Sequence, residues 1–240
     1  MGKWKRLCWR RGWVSSLDVH ILQIVILVSF QIKIFPRTSI DSSRRVRQLA
    51  QAVHGQISIS CGKRIAKYMP KAIGPWLCGL FDNDRSVVRT AQDSLQQVFS
   101  TPEKLQNIRR AYQQPILEYC RNVIDNETSQ TLSDERAVSP DDAEAKYSRV
   151  IAACIAVIGS LLTDLKSGDI SKQQPAYNEL LSDEKLWSFA TYEDASVRRS
   201  THRFLKACIS TQQGTPPRFH TALQSLVLIH SVHTLGSMDC

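Results

Sequence analysis

This 240-residue chain has no Cys-x-x-Cys pair, and its seven cysteines (Cys8, Cys61, Cys78, Cys120, Cys154, Cys208 and Cys240) stand singly. Scattered thiols of odd number argue against a disulfide framework and against a zinc site made from close ligand pairs. They suit reduced side chains that pack as small hydrophobes. Also missing are a glycine-rich phosphate loop, a His-Glu-x-x-His motif and a nucleophile motif, so no catalytic residue, metal or cofactor is expected. No stretch after Asp41 alternates apolar and polar residues as a strand would. Acidic residues are scarce in one region: residues 1–75 hold 14 Lys/Arg against 2 Asp/Glu, whereas 76–240 hold 17 against 20. The net charge of +9 therefore comes from the first third, and a surface for an anionic partner is expected there.

What is present is enough for a folded core, with 42% hydrophobic and 22% charged residues. The first forty residues form an atypical segment, basic and aromatic in MGKWKRLCWRRGW and then apolar in VHILQIVILVSFQIKIF. The uncharged run Val19–Gln31 is shorter than the roughly 20 residues that span a bilayer, and no small-residue cleavage site follows it, so a membrane is not an expected partner. Residues 211–240 read as a second atypical segment. Its His230-x-x-His233 with Cys240 is the nearest approach to a metal set, but the spacing is loose and a structural tail is the better reading.

Between these ends a motif recurs. DRSVVRTAQDSL, from Asp84, returns as DASVRRSTHRFL, from Asp194. In the first copy Val87, Ala91 and Leu95 fall on one helical stripe; in the second, Val197, Thr201 and Leu205 do. Asp84 and Asp194 stand where a carboxylate caps the free N–H groups of a first helical turn. Arg89 and Arg199 can lay their stems along the helix and offer a guanidinium to a neighbouring carboxylate. A weaker copy, DSSRRVRQLAQAV, sets Val46-Arg47 against Val88-Arg89, and Leu49 and Val53 against Ala91 and Leu95. That offset of 42 residues lies within the period of HEAT and armadillo repeats, helix pairs that must stack to cover their apolar faces. The fold class expected is all-α, a helical repeat solenoid of about three to four helix pairs. Its repeats span 41–125 and 145–210, with 126–144 as an acidic polar loop. Thr101-Pro102-Glu103 marks a helix start running toward Ile124, and Ala145–Leu165 is apolar enough to be buried on most sides. Ser139-Pro140 in the loop reads as a turn before it reads as a phosphate acceptor.

The basic residues form a candidate contact surface: Arg44, Arg45 and Arg47 in the first repeat, then Lys63, Arg64, Lys67 and Lys71. The lysines recur every four residues along a presumed helix from Ser60 to Leu80, kinked near Pro70 and Pro75. A solvated face and a phosphate-binding face both fit this pattern.

The stretch KRIAKYMPKAIGPWLCGLFDNDRSVVRTAQDSLQQVF, with DSSRRVRQLAQAVHGQI before it, resembles the amino-terminal region of listerin E3 ubiquitin ligases, with a fungal character. KLWSFATYEDASVRRSTHRFLKACI fits the same family, and the resemblance covers about 41–210. Gly74-Pro75-Trp76 followed by the Phe-Asp-x-Asp helix start is its most particular part. The resemblance implies a cytosolic protein whose amino-terminal repeats dock on the large ribosomal subunit carrying a stalled nascent chain, beside its quality-control factors, with contact to the rRNA backbone. In that family a carboxy-terminal RING, which binds zinc through eight Cys/His ligands, receives the ubiquitin-conjugating enzyme. This sequence has no such set, so the segment is expected to be noncatalytic alone. The alternative expectation is a noncatalytic helical-repeat scaffold for a protein partner.

Overall fold

The computed structural model describes residues 33–133 and 138–211. Every regular element among them is helical, as expected for the all-α class. A short turn at 33–38 carries Phe35 into the core. The longer helices that follow are α1 (Arg44–Cys61), α2 (Met69–Cys78), α3 (Arg85–Val98), α4 (Pro102–Ala111), α5 (Gln113–Asn126), α6 (Pro140–Asp164), α7 (Gln174–Leu181) and α8 (Ala195–Thr211).

Equivalent helices of successive repeats lie side by side. Gln48 Nε2 donates to Thr90 Oγ1 and Gln56 Nε2 to Gln97 Oε1, partners 42 and 41 residues apart, so α1 and α3 run parallel with the spacing read from the sequence. The second pair, α6 and α8, is also parallel: Tyr192, just before α8, donates to Glu144 near the start of α6, and Gly159 further along α6 meets Phe204. Helix α2 packs on α5 and α6, joining the two pairs into one core. Helix α6 is long and apolar enough to cross a membrane by length and composition, but its apolar residues are mostly buried against α2, α5 and α8.

The recurring aspartate does the same work twice. Asp84 Oδ1 accepts from Ser86 N at 2.8 Å and Val87 N at 3.4 Å; Asp194 Oδ1 accepts from Ser196 N at 2.7 Å and Val197 N at 3.2 Å. Each also takes the hydroxyl of the serine two residues on. These bonds, led by the serine hydroxyl in both cases, hold both carboxyls below the usual range. Replacing Asp194 by alanine is expected to cost about 1 kcal/mol in urea denaturation, while Asp194→Asn costs less because the amide oxygen still caps.

Several sequence expectations are corrected. The core face of α1 is Arg47, Ala50, Gln51, His54, Gly55, Ser58 and Cys61, whereas Leu49 and Val53 are 63% and 44% exposed. The face is turned by about one residue, roughly 100°, from the apolar alignment. Its core side is polar or small because Arg47 has an ion partner and Gly55 lets α3 approach: a Cβ at Gly55 would lie 2.6 Å from Ser94 Cβ. In α8 the residue filling the core is Phe204, and Leu205 is half-buried. The segment after α1 is broken by a 3₁₀ turn, Gly62–Lys67, which Gly62 permits at φ 51°, and Pro70 starts α2 rather than kinking a longer helix. Thr101 caps α4 as expected, but the chain breaks at Tyr112 before α5. The acidic loop is shorter than read, because Thr128 caps a helical turn at Ser129–Leu132 and Ser139 caps α6 with Pro140 at its start. Residues 1–32 and 212–240, with the Val19–Gln31 run and His230, His233 and Cys240, lie outside the described residues.

Candidate functional site

The structure divides the predicted basic residues into three groups. Arg47 is no part of a contact surface: it is 4% exposed and grips Asp82 bidentately, Nε to Oδ2 at 2.8 Å and Nη2 to Oδ1 at 3.0 Å. Its Nη1 donates to the carbonyls of Asp41 and Ser42, tying down the chain that enters α1. Arg149 of α6 reaches the same carboxylate at 3.6 Å and donates to the carbonyls of Ile40 and Asp41. Burial, with help from the Arg47 charge, pulls Arg149 down to about 10, which still leaves it charged at neutral pH. Two guanidiniums thus share one buried carboxylate where α1, α6 and the start of α3 meet.

Arg44 and Arg45 are exposed in the first turn of α1, which contains no acidic residue, so their charge adds to the positive end of the helix dipole. Arg44 is 74% exposed and faces Asp84 at 3.6 Å. Lys63, Arg64, Lys67 and Lys71 are exposed at the other end of α1, one 18-residue helix away, about 27 Å along its axis. The four-residue lysine spacing does not stack them, because the 3₁₀ turn has about three residues per turn and α2 begins only at Met69. Arg64 and Lys67 come into line instead, and Lys67 Nζ lies 4.6 Å from the centroid of the Tyr68 ring. The predicted single surface is therefore two patches.

A further basic stripe was missed. Arg199, His202, Arg203 and Lys206 are exposed on α8 at i, i+3, i+4 and i+7, on a helix with no acidic residue. Its sequence signal is the motif copy itself, in which Arg199, His202, Arg203 and Lys206 recur at helical spacing. Arg199 contributes least among the causes holding Asp194 down, and Arg89 is likewise exposed on α3.

The most particular sequence run is structural. Gly74 lets α2 touch α5, since a Cβ there would lie 2.6 to 2.8 Å from Tyr119 ring and Cβ atoms. Trp76 is fully buried and donates from Nε1 to Ser94 Oγ at 2.8 Å. Its ring meets His54 edge-on at 4.5 Å, and His54 stacks on Phe35 at 4.0 Å. Neither His54 nitrogen, nor either polar atom of buried Gln51, has a protein partner among the described residues. Burial lowers His54 to about 4 from an ordinary 6.5. The folded state thus keeps it neutral while the unfolded chain takes up a proton, so this contribution is full above pH 6.5 and is lost as pH falls toward 4. Stability is expected to drop by about 3 kcal/mol across that window, and His54→Phe should flatten the drop. An unchanged slope in the variant, followed by circular dichroism, would put the pH dependence elsewhere.

Five cysteines among the described residues are free and buried. Sequence spacing set them apart, yet the fold brings the thiols of Cys78, Cys120 and Cys154 within 4.8 Å of one another.

The profile of the listerin E3 ubiquitin-protein ligase N-terminal domain matches residues 13–233. The match extends past 41–210 at both ends, so 13–40 and 211–233, which the sequence reading set apart as unlike the family, fall inside it. Among relatives, listerin of Neurospora crassa is 34% identical over 75% of this chain and 11% of its own length. Listerin of Schizosaccharomyces pombe is 28% identical over 82% and 12%, and that of Mus musculus 26% over 73% and 10%. The chain spans about a tenth of the length of these relatives. Matched by the family profile over most of its length and carrying the helical repeats, the chain belongs to the listerin E3 ubiquitin-protein ligase family, within its N-terminal domain.

Proposed function

We propose that this chain is the ribosome-docking N-terminal part of a listerin-like E3 ubiquitin ligase, which marks stalled nascent chains on the large ribosomal subunit for proteasomal degradation in the cytosol. The observation that carries the reading is a fixed helical frame, of that family, with exposed cations at Arg45, Lys63, Arg64, Lys67 and Lys71. Such cations contact rRNA phosphates and release counterions, which gives affinity through backbone and shape rather than base identity. Ubiquitin transfer from a conjugating enzyme falls to the family's zinc-binding RING, and this segment supplies position. Partner quality-control factors meet the same frame.

The chain should cosediment with purified large subunits, and reversing Lys63, Arg64, Lys67 and Lys71 to glutamate should weaken binding about tenfold or more while the helical spectrum is unchanged. Binding unaffected by reversal would remove these residues from the interface. A second reading, a scaffold for a protein partner, is favoured by the exposed apolar residues Leu49, Val53 and Ile59 on α1. It predicts no association with the subunit and loss of partner binding on Leu49→Asp.

A further inference from the structure

Cys78 ends α2, Cys120 lies in α5 and Cys154 lies in α6, the three helices whose mutual packing joins the two halves of the core. Cys120 and Cys154 have no exposure and Cys78 has 8%. The Cys78 and Cys154 sulfurs are 3.8 Å apart although 76 residues separate them in the chain. Three sulfurs bound to one metal ion at about 2.3 Å lie about 3.8 to 4.0 Å from one another, on a tetrahedral edge or a trigonal plane. One pair already has that separation, and all three atoms fall within 4.8 Å, so side-chain rotation of less than about 1 Å closes the set. The ligands are soft, and among the described residues no carboxylate or imidazole joins them, which selects against hard cations such as magnesium and calcium.

We propose that Cys78, Cys120 and Cys154 form a structural site for a thiophilic d¹⁰ cation, zinc(II) or copper(I), that clips α2, α5 and α6 together. The thiols that ionise release their protons to solvent as the metal–sulfur bonds form, and the cation's charge offsets part of the thiolate charge in the apolar interior. Three sulfurs without a fourth side chain suit copper(I) directly; zinc(II) completes its shell with a backbone oxygen or a water. Because the sulfurs converge only in the folded state, binding stabilises the fold by mass action.

The test uses the full chain, purified reduced and stripped with chelator, then titrated separately with zinc(II) and with copper(I) under competition by a chromophoric chelator for each. Bound metal is read by elemental analysis after gel filtration, and melting is followed with and without metal. One equivalent of one ion and a metal-dependent rise in Tm are expected, and the ion that binds identifies the source. Cys154→Ala and Cys120→Ala should each lower affinity at least about a hundredfold, whereas Cys208→Ala should leave it unchanged. Should an alanine variant fold poorly, the wild-type chain alone decides: folded, reduced protein that retains neither ion, or whose Tm ignores both, makes the cluster a packing feature and overturns the proposal. Binding that survives Cys154→Ala in a folded variant overturns it as well.

Discussion

Asp82→Ala is expected to destabilise the chain by about 3 to 5 kcal/mol, because it removes the one carboxylate that pairs directly with the buried guanidiniums of Arg47 and Arg149 among the described residues. The carboxylate also accepts Asp84 N–H at 2.9 Å, so its loss loosens the approach to the α3 cap. Size alone does not explain such a cost, and a second variant separates the terms. Asp82→Asn keeps the shape and some hydrogen bonds but not the charge, and should recover only part of the loss. Replacing Arg47 by methionine in the Asp82→Leu background should be milder than Asp82→Ala, since one of the orphaned charges is gone. Urea denaturation checks each variant, with m held constant as the sign that the unfolded state is unchanged. A loss under about 1 kcal/mol for Asp82→Ala would mean that water reaches the cluster and that the clamp is not what fixes the residues before α1.

Trp76→Ala should cost a similar amount, about 3 to 5 kcal/mol. The ring is the meeting point of α1, α2 and α3, against His54, tilted to Phe99 at 5.8 Å, and bonded to Ser94. Truncation opens a cavity beside His54, whose ring nitrogens already lack a partner among the described residues. Trp76→Phe retains part of the contact area but orphans no buried donor, because the indole N–H leaves with the ring; a loss nearer 1 to 2 kcal/mol is expected. Ser94 Oγ still donates to Ala91 O in that variant, so the serine keeps one bond. Equal losses for alanine and phenylalanine would show that the Trp76–Ser94 bond, rather than packing, dominates.

Apart from the 42-residue repeat spacing, what was legible in the sequence was local. Asp84, Asp194 and Thr101 could be read as caps because a cap is decided within three residues of the helix start. The stripe of α3 was legible because Val87, Ala91 and Leu95 are apolar at helical spacing and nothing competes with them. The register of α1 was not, since Arg47, Gln51 and His54 are polar yet buried, and the reason for burying Arg47 is Asp82, 35 residues away. Hydrophobicity turned the helix toward Leu49 and Val53 because that rule cannot see a distant carboxylate. The break at Gly62 escaped for a similar reason: a regular lysine spacing suggested a continuous helix, and one glycine with positive φ ended it. The cysteine cluster is the extreme case, three lone thiols on separate helices that only tertiary packing brings together.

The proposed docking on the large ribosomal subunit through phosphate contacts is tested most directly by the dissociation constant of the chain for purified large subunits across a salt series, with small subunits as control. Phosphate docking gives preference for the large subunit and a linear fall of log affinity with log salt, by roughly 0.7 to 0.9 per phosphate contact and so about three to five in slope. A constant insensitive to salt, or equal affinity for both subunits, would contradict it.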